Sequence, residues 1–143
     1  DMIQRFCAGQ ASIAHASPAT AVEVLKTWLR ELAQPVIPPG PSDSLVNAHR
    51  RGSPLANALG ELKPVNRRVL VEVVRLLAHV CASENMPEEE CGSIFAACLA
   101  PTPQLRVAAE LEIAARERTE VVVELVRAYV AHQSPWGASD FEA

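Results

Sequence analysis

The chain has 143 residues, enough for one domain to bury a core without metal or disulfide staples. Apolar residues make up 49% and aromatics only 4%, so the core has to be built from Leu, Val, Ile and Ala, with Trp28 and a few Phe as the large pieces, a mixture that favours helices packed on helices. A net charge of -4, with Lys and Arg scattered singly or in pairs, speaks against nucleic acid as a partner, and no apolar run approaches the ~18 to 20 residues that would insert in a bilayer.

Ser17 before Pro18 is a helix start, because the serine oxygen can cap free amides and proline at the first helical position loses nothing. From Ala21 to Ala33 the residues Val22, Leu25, Leu29 and Leu32 recur at three- and four-residue spacing on one face, and Pro35 ends the helix. The stretch Pro35 to Pro41 holds four prolines and a glycine in seven residues and reads as a rigid connector within the domain. Ser42 and Asp43 offer caps for a short helix around Leu45 to His49, and Arg51-Gly52-Ser53-Pro54 restarts the chain into another at Leu55 to Leu62.

From Asn66 to Val80 the set Val69, Leu70, Val73, Val74, Leu76, Leu77 and Val80 is dense enough to be buried on more than one side, which makes this the central helix. Met86-Pro87 followed by Glu88, Glu89 and Glu90 places proline and three acids in a first turn, where negative charge complements the helix dipole. That helix runs to about Ala100. After Pro101 and Pro103 a last long pattern carries Leu105, Ala108, Leu111, Ala115, Val122, Leu125, Val126 and Tyr129, and 134–143 reads as a loose tail behind a domain of residues 1–133. No strand alternation and no internal repeat occur, so the expected fold class is all-α.

Three blocks of the chain resemble, in order, the motifs of one helical family. Leu25-Lys26-Thr27-Trp28-Leu29-Arg30-Glu31-Leu32-Ala33-Gln34-Pro35-Val36-Ile37 is similar to L-K-x-(F/W)-L-R-E-L-P-x-P-(L/V)-(I/L). Leu62-Lys63-Pro64-Val65-Asn66-Arg67-Arg68-Val69-Leu70 resembles L-P-x-x-N-x-x-(V/T)-L, which opens the family's central helix. Glu84-Asn85-Met86 through Phe95 and Leu99 is a degraded likeness of N-x-M followed by F-(G/A)-P-(N/T)-L, and the three blocks together resemble the Rho GTPase-activating (RhoGAP) domain family.

The resemblance implies a helical bundle that docks on a Rho-, Rac- or Cdc42-like small GTPase in its GTP-bound form. It implies a GTPase activator or GTPase-binding module rather than an enzyme itself, with no cofactor and no metal, cytoplasmic, recruited to membranes through other domains of a parent protein. In the family one arginine enters the nucleotide site and is worth ~10³ to 10⁵ in rate. That arginine sits in a G-I-F-R-x-S-G-type loop much farther upstream of the first signature than the residues preceding Lys26, so the expectation is an N-terminally truncated domain without its finger and with no catalytic residue. Arg5 superficially mimics the loop, but Phe6 to Gly9 better resembles the end of the next helix, and Arg5 reads as a surface arginine.

By the same resemblance Lys26 faces the GTPase and Arg30 braces the finger loop, Glu84 stands where the family's GTPase-contacting asparagine belongs, and Asn85 is the neighbour that could replace it. The family's proline and asparagine after the phenylalanine are Ala97 and Cys98. These substitutions favour an alternative, a catalytically silent RhoGAP-like interaction domain. Metal chemistry has little behind it: His79 with Cys81, Cys91 and Cys98 matches no common zinc spacing, His15, His49, His79 and His132 lie in separate elements, and the four cysteines read as reduced, mostly buried thiols.

Overall fold

The structure, a computed structural model, describes residues 17–83 and 85–131. Among these residues there are six helices and no strand, so the fold is all-α: α1 (Pro18–Glu31), α2 (Pro39–Arg51), α3 (Ala56–Leu59), α4 (Pro64–Ser83), α5 (Glu88–Leu99) and α6 (Ala108–Val130). The expected tail at 134–143 lies outside the described residues.

Local chemistry accounts for the ends. Ser17 Oγ accepts from the Thr20 amide at 3.2 Å, which caps α1. α2 closes on Gly52 at φ 66, with its N–H on His49 O at 3.1 Å and the Ser53 N–H on Ala48 O at 2.9 Å, the paired bonds of a Schellman ending. α5 opens on Pro87 with Glu88, Glu89 and Glu90 in its first turn.

The proline-rich connector is shorter than the sequence suggests. α2 begins at Pro39 and takes in Gly40 and Pro41, because the first-turn amides of a helix have no intrahelical acceptor and prolines there cost no hydrogen bond. The helix expected around Leu45 to His49 therefore spans 13 residues. The one expected at Leu55 to Leu62 contracts to the four residues of α3, followed by turns.

What remains of the connector is tied down from both sides. Val36 and Ile37 are buried, Ile37 donates its amide to Leu99 O at 2.9 Å, and the Asn66 side-chain amide donates to Val36 O at 3.0 Å. An irregular segment can run through an interior only if its backbone polar groups find partners, and here Asn66 and the end of α5 supply them. The chain leaving α1 is thus fixed against both α4 and α5.

α4 is the centre of the core. Leu70, Val74 and Leu77 are fully buried, and Val71 and Ala78 are buried as well, which the sequence pattern omits. Val69 and Leu76 are only partly buried. They line, with Leu25, Trp28, Arg68, Glu72 and Val73, an open apolar groove of about 520 Å³.

α6 packs along α5 and α4 and reaches α2. Its second half contributes Val121, Val122, Leu125 and Val126 to the core around Phe95 and Leu99. Gly92 sits where α5 meets α6: a Cβ there would lie 2.6 Å from Val123 Cγ2 and 3.1 Å from Thr119 O. The first half of α6 departs from the expected pattern. Leu105 precedes the helix and is exposed, Ala115 points outward, and Ala114 with Arg118 turns inward.

The reason is a polar seam between α2 and α6. Arg50 grips the Glu117 carboxylate, His49 Nε2 meets Glu120 at 3.1 Å, and buried Arg118 donates to Ala114 O at 3.1 Å and to Asp43 at 3.4 Å. The inward face of a helix that meets another through charged groups does not follow an apolar stripe.

Candidate functional site

α1 carries its apolar residues to one side and its cations to the other. Val24, Leu25 and Leu29 are buried and Trp28 packs half-buried against the core, while Arg30 is exposed. Lys26, four residues before Arg30, keeps a side chain 20% exposed and is held at 3.2 Å by Glu23, one turn back on the same helix. That ion pair neutralises the nearer of two like charges that would otherwise repel across one helical turn. Arg30 has no ion-pair partner among the described residues and sits in the last turn of α1, where a cation also complements the helix dipole.

The corner between α4 and α5 is the second part. Ser83 Oγ donates to His79 O at 2.9 Å, and the Met86 amide reaches back to Cys81 O at 3.0 Å. Asn85 between them is exposed and adopts φ 51, the left-handed region that asparagine tolerates better than most side chains. Glu84 lies outside the described residues, as does Arg5.

Cys98 does not join this surface. It is buried, with its Sγ 3.8 Å from Ile94 O, so the position acts in packing where the family pattern carries a polar residue. Its neighbour Ala97 is exposed. Asn66, part of the second motif, is a structural brace through its bond to Val36 O. Its sequence signal is that a polar residue near the start of an apolar helix needs a partner, and an extended segment with a free carbonyl can supply it.

Among the described residues no group of three or more His, Cys, Asp and Glu is arranged to hold a metal ion, and no helix is long and apolar enough to cross a membrane.

The described residues form a helical bundle in which a cation-bearing helix lies beside a connector anchored at both sides. The sequence model of the RhoGAP domain matches residues 2–104, which is most of the chain, and the chain belongs to the RhoGAP domain family. Comparison with curated proteins and with solved structures gives no match. Membership implies a Rho-family GTPase-activating or GTPase-binding role.

Proposed function

We propose that the chain docks a Rho-, Rac- or Cdc42-like small GTPase in its GTP-bound form through the cationic side of α1 and the α4–α5 corner, and that residues 1–143 do not supply the finger arginine. The observation that carries this reading is the exposure of Arg30, unpaired among the described residues, on the same helix as partly exposed Lys26. Cations on that helix complement the negative charge around a bound nucleotide, and Asn85 offers an exposed amide at the α4–α5 corner.

The test is binding to a panel of Rho-family GTPases loaded with a non-hydrolysable GTP analogue. Lys26→Glu with Arg30→Glu should weaken the tightest complex by about tenfold or more, the scale of truncating charged contacts at an interface. Equal affinity for the double variant and the parent would mean that the contact lies elsewhere.

The alternative is a catalytically silent interaction domain. Burial of Cys98 favours it, because that position offers no polar group to a docked GTPase. Single-turnover GTP hydrolysis decides: binding without acceleration supports the silent reading for this chain, and acceleration on the ~10³ scale of an arginine finger would show that a residue within it reaches the nucleotide.

A further inference from the structure

Cys81, in the last turn of α4, and Cys91, in the first turn of α5, are free thiols whose sulfurs lie 2.8 Å apart. Met86 lies against the pair, with Cys91 Sγ 3.3 Å from its Sδ. A disulfide spans about 2.05 Å between sulfurs, so bond formation requires less than an ångström of further approach. The two cysteines are unequal: Cys91 is buried, and Cys81 is partly buried against the core. Burial, above all, pushes the Cys91 thiol up to about 12, helped by its bond to Cys81 and by the charges of Cys81, Glu90 and Glu88, so it stays protonated behind its partner.

We propose that Cys81 and Cys91 are a modification site, a dithiol that a hydroperoxide converts to an intramolecular disulfide across the α4–α5 corner. In the first step the Cys81 thiolate attacks one peroxide oxygen. The S–O bond forms, the O–O bond breaks, and the departing oxygen takes up a proton as water or alcohol, leaving a sulfenic acid. In the second, Cys91 sulfur attacks Cys81 sulfur. The S–S bond forms, the S–O bond breaks, and hydroxide leaves with the Cys91 proton as water. Two thiols have then lost two protons and two electrons to the peroxide. The new bond closes a loop that contains Asn85 and Met86 and holds the last turn of α4 to the first turn of α5. The inference does not rest on the GTPase reading.

The experiment uses the full chain with Cys7→Ser, which leaves Cys81, Cys91 and Cys98. After hydrogen peroxide at neutral pH, the protein is denatured, alkylated with N-ethylmaleimide and weighed intact. Two of three alkylatable thiols should disappear and return with dithiothreitol, and cleavage after Glu84 and within Glu88 to Glu90 should leave the Cys81 and Cys91 peptides joined. Cys98→Ser should leave that loss of two unchanged, and in Cys81→Ser both remaining thiols should stay alkylatable. Full alkylation after peroxide, a bond that uses Cys98, or a bond between two chains would overturn the proposal.

Discussion

Arg50 at the end of α2 holds the carboxylate of Glu117 on α6 with two guanidinium nitrogens, one contact measuring 2.6 Å. The arginine is largely exposed and the glutamate is not, so the pair acts as a clasp whose acidic half is sheltered at the helix seam. The hydrogen bond from Arg50 holds the Glu117 carboxyl below the usual carboxylate range, against partial desolvation and with help from the charges of Arg50, Arg118 and Arg116.

A depressed carboxylate pKa gives stability that is fully present above the unfolded-state value and lost as pH falls through the lower folded-state value. Glu117→Gln should therefore be less stable than the parent at neutral pH, with the difference closing in acid, below the ordinary carboxylate range. Melting temperatures of the two proteins from pH 7 down to pH 3 check this, and parallel curves would contradict it.

Leu77 is fully buried in the middle of α4, and Leu76 beside it only half so, facing the groove. Leu77→Ala should cost about 2 to 5 kcal/mol, combining lost apolar transfer with the cavity left behind, and Leu76→Ala distinctly less, because an open groove leaves no void to maintain. Urea unfolding of both variants measures the gap, and equal costs would mean that α4 is not packed as described.

Gly92→Ala sets two effects against each other. Alanine is about 1 kcal/mol better than glycine inside a helix, whereas a new Cβ at 2.6 Å from Val123 Cγ2 forces overpacking that costs about 1 to 3 kcal/mol. Valine is stiff at its first torsion, and the Thr119 carbonyl at 3.1 Å is backbone, so the clash should win and the variant should unfold at lower urea. In a Val123→Ala background the same substitution should cost less, and a cost unchanged by that background would remove Val123 as the cause.

The helices that carry an apolar stripe against one neighbour were legible from periodicity alone. Leu25 and Leu29 lie inward on α1 as their spacing implies, Val22 and Leu32 are only partly buried, Val24 is buried outside that pattern, and the four-residue spacing of Lys26 and Arg30 places both on one helix away from the buried side. Periodicity failed where burial depends on a second neighbour or on polar partners. Val71 and Ala78 are buried because α4 is packed on more than one side, and Ala114 and Arg118 turn inward because α2 presents Asp43 and a basic end to α6.

The start of α2 was hidden for another reason: prolines mark connectors and first turns alike, and only tertiary placement separates the two. The candidate site was visible in its residue types and less so in its geometry. Family resemblance drew attention to position 98 for its polarity, and packing determined its burial. The approach of Cys81 to Cys91 depends on the corner that Asn85 turns in the left-handed conformation, which no spacing rule for metal or redox pairs describes.

The family match stops at residue 104, yet Val121, Val122, Leu125 and Val126 of α6 close the interior over Phe95 and Leu99. Expression boundaries drawn at the edge of the recognised motif would strip the lid from that oily chamber and leave a sticky, aggregation-prone remnant. The cooperative unit to carry into any binding assay extends through Val130.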